Sequence, residues 1–227
     1  MGFDVLFEED LRDGRVVGVS LPPFQDGVDP LGGVDLPGAE VSHCQGLGPR
    51  RQISFIGGRL ALRKALASLG APTGAVLADD RGAPILPAGF RGSISHKDSV
   101  AVALATPDEG WSVGIDVEIF EPERLSIARK VLRDDELGAL EALPEGHRWR
   151  DVLLRFSAKE AIYKAIDPTL RRYVTFKEVA VWPSGDGSMA VELFLSTPEA
   201  LEISCRWTMM GDTLVTLARA RPATLAA

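Results

Sequence analysis

Gly114-Ile115-Asp116-Val117-Glu118 and, further along, Phe156-Ser157-Ala158-Lys159-Glu160-Ala161-Ile162-Tyr163-Lys164 are the two stretches on which the reading of this chain turns. Across residues 111–119, Val113, Ile115, Val117 and Ile119 alternate with Ser112, Gly114, Asp116 and Glu118. Successive side chains of a strand point to opposite faces, so the pattern reads as a half-buried strand with both carboxylates on one side. At a rise of about 3.3 Å per residue their Cα atoms lie roughly 6.6 Å apart. Carboxylates that close repel unless solvent or a cation intervenes. An ordinary amphipathic strand with a wet outer face has the same alternation. A glycine inside a strand, here Gly114, often marks close approach by another backbone or a ligand.

The second stretch reads as a helix. Advancing about 100° per residue from Trp149 brings Leu153, Phe156 and Tyr163 onto one stripe, with Glu160 near its centre. A buried carboxylate needs a cation, a donor cluster or a wet cleft. Lys164 lies one turn on, at the edge of the same face. An intrahelical Glu160–Lys164 pair, worth about 0.2–0.5 kcal/mol, accounts for Lys164 but not for a carboxylate in the apolar stripe. Three carboxylates and a lysine gathered this way suit a divalent metal holding a phosphate.

With the upstream run Pro87-Ala88-Gly89-Phe90-Arg91-Gly92-Ser93-Ile94-Ser95-His96, these segments resemble, in order, the motifs of the 4′-phosphopantetheinyl transferases. The surfactin-type branch, and within it the enterobactin synthase component D group, carries similar wording. The resemblance runs from about Arg50 to Lys164 and more loosely into the C-terminal strands. It implies an α+β fold of two similar α/β halves in a pseudo-twofold arrangement, with coenzyme A and the active site between them. The halves are expected at 1–110, contacting the coenzyme A nucleotide, and 111–227, carrying the metal site and the signature helix. The implied reaction moves the phosphopantetheine arm of coenzyme A onto a serine of an apo acyl or peptidyl carrier protein and releases 3′,5′-ADP.

By motif match the resemblance makes Asp116, Glu118 and Glu160 ligands of Mg²⁺, with Mn²⁺ as the other ion such oxygens accept. Asp116, Glu160 and Lys164 are the implied catalytic residues. Lys164 would contact the phosphates, Lys159 is a weaker candidate for the same work, and Glu160 would help deprotonate the serine. Glu136, in Arg133-Asp134-Asp135-Glu136, matches a further acidic residue proposed as the base. It equally fits the acidic first turn of a helix through Leu137, Leu140 and Leu143.

Coenzyme A carries a 3′-phosphate and a pyrophosphate, whereas the 227-residue chain has a formal net charge of −7, so the cations must be local. The resemblance points to Arg51 and Arg59 as nucleotide-phosphate contacts, with Arg50 as the alternative register for Arg51. Arg59 and Arg63 are one turn apart on one face, which is also how a solvated helix face looks. Asp80-Arg81-Gly82-Ala83-Pro84 resembles a turn in which relatives carry a lysine beside the glycine, and Arg81 takes that role here. His96, with the Ser95 hydroxyl or backbone beside it, is the remaining candidate for a phosphate contact.

No basic leader with an apolar core opens the chain, and no apolar run is long enough to span a bilayer, which suits a cytoplasmic monomer. Cys44 and Cys205, the two cysteines, are too isolated for a disulfide framework or zinc site. No basic stripe with interleaved aromatics suggests nucleic acid. Residues 20–49, rich in Gly, Pro and Asp, read as loop with short strands. Helices are expected over 55–69, 126–143 and 149–166, and antiparallel strands over 176–182, 190–195, 203–209 and 214–218. Ser184-Gly185-Asp186-Gly187-Ser188 reads as a hairpin turn. Two other functions share these residues: a metal-dependent hydrolase of coenzyme A or another pyrophosphate, and a non-catalytic module that binds carrier proteins.

Overall fold

The computed structural model describes residues 2–72, 74–196 and 200–223. Its contacts divide the chain into two units, Met1–Glu109 and Gly110–Ala227. Each is an antiparallel sheet with helices against it, so the chain is α+β.

The N-terminal unit opens with a hairpin, β1 (Val5–Leu11) and β2 (Gly14–Ser20), followed by α1 (Gly38–Gln45) and α2 (Pro49–Ser68). Strands β3 (Phe90–Lys97) and β4 (Val100–Pro107) complete a sheet ordered β1-β2-β4-β3. Pro49 explains why α2 starts earlier than expected: at the first helical position its missing N–H costs nothing and its fixed φ suits the helix. Gly70, at φ +71, closes the helix as its N–H reaches back to Ala67 O. Ala61, Leu62 and Ala65 of α2 pack on Val17, Val19, Ala103 and Ala105. The region 20–49 holds α1 rather than short strands. Its helix carries little apolar stripe for a sequence to reveal, and it is fixed instead by the wholly buried Glu40 and Cys44.

The C-terminal unit begins with β5 (Ser112–Ile119). The single helix expected over 126–143 is instead two, α3 (Ala128–Val131) and α4 (Asp134–Glu141). They part at Leu132, whose extended backbone (ψ 140) turns its fully buried side chain into the core. The chain then restarts a helix, because Glu136 reaches back to the Arg133 N–H at 2.9 Å. The long helix α5 (Glu145–Leu170) ends at Arg171 in the left-handed region. Strands β6 (Val179–Pro183), β7 (Ser188–Leu193), β8 (Leu201–Met210) and β9 (Thr213–Pro222) follow. The sheet order β5-β9-β8-β7-β6 brings the first strand beside the last. The hairpin turn at 184–188 is closed by Ser184 N–H on Ser188 O.

Helix α5 lies on this sheet through Ala158, Ala161, Ile162, Ala165 and Ile166, facing Leu214, Ala218 and Ala220. The face of β5 that it covers is the one bearing Gly114. Ile115 and Val117, on the other face, are buried as well. β5 is therefore enclosed on both sides, and the wet outer face open to it from its alternation is absent.

Candidate active site

Gly114 sets the geometry of the C-terminal unit's site. A Cβ at this position would lie 2.0 Å from the Ala161 carbonyl oxygen and 2.9 Å from Ala165 N. Only glycine lets the helix backbone come this near the strand. Two residues along, Asp116 faces the same helix, and the close approach puts it within reach of two α5 side chains. Lys164 Nζ donates to Asp116 Oδ1 at 3.0 Å and to the Ile115 carbonyl at 2.8 Å. Ser157 Oγ donates to Asp116 Oδ2 at 2.9 Å, and lies 2.8 Å from Thr216 Oγ1 on β9. Thr216 is the register partner of Asp116 across the β5–β9 ladder.

Glu160 belongs to the same group. Burial pushes its carboxyl above the ordinary carboxylate range, the nearby Asp116 charge adds to the rise, and Lys164 opposes it. Glu118, buried at 6 % exposure, follows Asp116 on the same face of the strand. These are hard oxygen donors of the kind Mg²⁺ takes, and the like-charge strain on Glu160 is what a divalent cation would relieve. Among the described residues, however, no three His, Cys, Asp or Glu side chains converge closely enough to form a metal cluster by themselves. The structure thus joins Asp116, Glu160 and Lys164, and does not gather the three expected ligands into a preformed cage.

Lys159 and Glu136 point elsewhere. The Lys159 ammonium is buried and donates to Glu136 Oε2 at 2.5 Å, Val131 O at 2.9 Å and Phe176 O at 3.1 Å. An ammonium has three protons, so none remains for a phosphate, and the expected Lys159 phosphate contact is not what this arrangement offers. Burial pulls the Lys159 ammonium below its ordinary range, with Glu136 opposing the shift. Glu136 is fully buried and also accepts from the Arg133 and Val181 N–H groups. Arg155 lies 3.5 Å from its other oxygen. A carboxylate so occupied is a clasp between α4, α5 and β6, which agrees with its reading as part of a helix start.

In the N-terminal unit, Arg51 Nη1 lies 2.8 Å from His96 Nε2. A guanidinium has no acceptor, so Arg51 donates and the imidazole presents its bare nitrogen. Arg50, the alternative register, instead lies over the Phe24 ring, 5.6 Å from its centroid. Arg59 is enclosed, with Nε on Val76 O at 2.6 Å and its guanidinium 4.4 Å over Phe55. Its neighbour Arg63 pairs with the buried Glu40 at 2.7 Å. Burial lowers the Arg59 pKa, partly offset by Glu40. Arg81 sits on an exposed turn whose Asp79 Oδ1 accepts from the Arg81 and Ala83 N–H groups. Ser95 is buried and His96 exposed on alternate faces of β3, so the Ser95 hydroxyl does not stand beside the imidazole.

A cleft of about 450 Å³ opens in this unit, lined by Phe3, Phe24, Val28, Asp29, Asp35 and Ile53 among others. None of the motif residues lines it. Ser157 and Thr216 are the site residues that the sequence reading missed. Ser157 lies inside the quoted helix motif, but Thr216 is recognisable only once strand register is known.

The C-terminal unit thus brings two carboxylates to a lysine, and the N-terminal unit by itself holds an arginine–histidine pair. A family description, 4′-phosphopantetheinyl transferase N-terminal domain, matches residues 39–106, and another, 4′-phosphopantetheinyl transferase superfamily, matches 112–218. The 4′-phosphopantetheinyl transferase Npt of Nocardia iowensis is 34% identical over 163 residues, covering 64% of this chain and 69% of Npt. PptT of Mycobacterium tuberculosis is 31% identical over 155 residues, 67% of each chain. Enterobactin synthase component D of Salmonella typhimurium is 28% identical over 179 residues, 76% of this chain and 74% of the relative. Among solved structures, the ACPS–CoA complex of Chronobacterium ammoniagenes is 21% identical and spans 51% of this chain and all of its own, with a TM-score of 0.42. The chain belongs to the 4′-phosphopantetheinyl transferase superfamily. It is an enzyme of that transferase class, and among its described residues no helix is long and apolar enough to cross a membrane.

Proposed function

We propose that this protein transfers the 4′-phosphopantetheine arm of coenzyme A to a serine of an apo carrier protein, in a Mg²⁺-dependent reaction that releases 3′,5′-ADP. The observation that carries the reading is the junction at Asp116, where Lys164 and Ser157 meet one carboxylate beside a Glu160 whose ionisation is disfavoured. Asp116, Glu118 and Glu160 would hold the cation. When bound, a divalent ion supplies neutralisation of the charge that gathers on the pyrophosphate during displacement.

The chain's own groups do the rest. Glu160 takes the proton of the carrier serine as its oxygen attacks the β-phosphorus of coenzyme A. The bond from that phosphorus to the bridging oxygen breaks, and 3′,5′-ADP leaves with the electron pair. Lys164 serves the phosphates as a point charge and meanwhile steadies Asp116. In the N-terminal unit, Arg51 and His96 take the nucleotide phosphates, supported by Arg59 and Arg81. The C-terminal unit holds the reacting end.

The relatives' names include a siderophore synthase component, which supports carrier proteins of secondary metabolism as the substrates. Intact-mass spectrometry of an apo carrier protein incubated with the chain, coenzyme A and Mg²⁺ tests the proposal. The expected result is a gain of one phosphopantetheine arm, abolished by EDTA. Coenzyme A consumed without any gain on the carrier would identify a hydrolase instead.

A further inference from the structure

Asp116 is held from both sides, and one side leads deeper into the protein. Lys164 supplies a proton to Oδ1 and Ser157 to Oδ2. A serine hydroxyl has one proton, and an ionised carboxylate has none to return, so Ser157 must be the donor in that contact. The second partner of Ser157 Oγ is Thr216 Oγ1 at 2.8 Å, and the Ser157 proton is already committed. Thr216 therefore donates to Ser157. The chain Thr216 → Ser157 → Asp116 runs in one direction, with Ser157 and Thr216 both at 0 % exposure. Hydrogen bonds in such a chain polarise and strengthen one another away from water.

We propose that Thr216, acting through Ser157, is a positioning residue that fixes the plane of the Asp116 carboxylate for a divalent cation. The inference rests on the reading of Asp116 as a metal ligand. Lys164 holds Oδ1 and the Ser157 hydroxyl holds Oδ2, so the carboxylate is gripped at both oxygens and its plane follows the placing of the two donors. Outer groups of this kind, when lost, typically weaken metal binding about 10–100-fold if they touch the ligand directly. Thr216 stands one bond further away, so its effect is smaller.

The test is a titration of Mn²⁺ into the full chain with coenzyme A bound, followed by electron paramagnetic resonance, alongside the Mg²⁺ dependence of the rate. Thr216→Val keeps the branched shape and loses the proton, and is expected to weaken Mn²⁺ about three- to tenfold, below the range for a direct contact. The Mg²⁺ concentration for half-maximal rate should rise by the same factor, with kcat at saturating Mg²⁺ kept within about twofold. Thr216→Ser keeps the proton and loses a methyl group, so it should bind Mn²⁺ like the wild type while melting at a lower temperature. A purely structural Thr216 would give the reverse order. Ser157→Ala, which strips the donor from Asp116 itself, should cost about tenfold or more in Mn²⁺ affinity. Unchanged Mn²⁺ affinity in Thr216→Val overturns the proposal, as it does in Ser157→Ala should Thr216→Val not fold. Wild-type Mn²⁺ binding by Asp116→Asn would instead overturn the metal reading beneath it.

Discussion

Glu160 is placed where its charge is opposed twice, by burial and by Asp116, and helped once, by Lys164. The folded state consequently binds its proton more tightly than the unfolded chain does. Stability from this group is fully present below the unfolded pKa, near the ordinary value of 4.5, and is lost as pH rises through the higher folded value. Glu160→Gln removes that loss. Without added metal it should match the wild type at pH 4 and exceed it at pH 7 in urea denaturation. Turnover should meanwhile fall at least about a hundredfold, and equally in Asp116→Ala, the order expected for a lost charge-stabilising group. A Glu160→Gln protein less stable than wild type at pH 7 would show that a partner already neutralises the carboxylate. The helical wheel was enough to mark Glu160, because a carboxylate in an apolar stripe conflicts with its surroundings. It could not place Lys159, whose motif neighbour is Glu160 but whose direction, about 100° round the helix, leads to Glu136.

Packing between elements decides where these side chains meet. The Gly114 contact is the tightest case: with a Cβ 2.0 Å from Ala161 O, something must move, and the obstacle is helix backbone rather than a flexible side chain. Gly114→Ala should cost about 1–3 kcal/mol or more as α5 retreats. The same retreat lengthens the Lys164 and Ser157 contacts to Asp116, so activity of the folded protein should fall more than about tenfold, a misplacement of about 1 Å being able to cost about a hundredfold. Undiminished activity would mean that α5 can shift without carrying Lys164 and Ser157 away. Glu136 poses the converse case. Glu136→Ala strands the Lys159 ammonium inside the unit without the carboxylate it pairs with and should destabilise by about 3–5 kcal/mol in denaturant. Glu136→Gln, which keeps part of the hydrogen bonding, should retain kcat within about tenfold in its folded fraction, whereas a true general base would lose about 10²–10⁴-fold. The helix start at Asp134 was legible from its acidic first turn. The break before it was not, because nothing in Val131-Leu132-Arg133 forbids helix, and only the pull of Leu132 into the core separates α3 from α4.

Taken whole, the molecule carries a formal charge of −7 and yet its proposed substrate is an anion. The cations therefore act as local devices, and the motifs divide between the two units: Arg51 and His96 in one, Asp116, Glu160 and Lys164 in the other. The sequence could place these motifs in order, since each is continuous in the chain. Sheet order was beyond it, because β5 pairs with β9 and β2 with β4 across long intervals that no local pattern marks. The division of labour has a thermodynamic consequence. A ligand that binds only the folded chain stabilises it by about 2.7 kcal/mol at a hundred times its Kd. Coenzyme A without metal should raise the melting temperature of the wild type and of Asp116→Ala alike, if the nucleotide contacts lie, as proposed, outside the Asp116 group. Mg²⁺ added afterwards should give a further rise in the wild type and none in Asp116→Ala. In Arg51→Ala the first rise should shrink, and saturating coenzyme A should restore the second. Differential scanning fluorimetry of the three proteins reads all of these. The opposite pattern, with Asp116→Ala deaf to coenzyme A and Arg51→Ala unaffected, would place the coenzyme A phosphates on the C-terminal unit and leave the Arg51–His96 pair as a brace between α2 and β3.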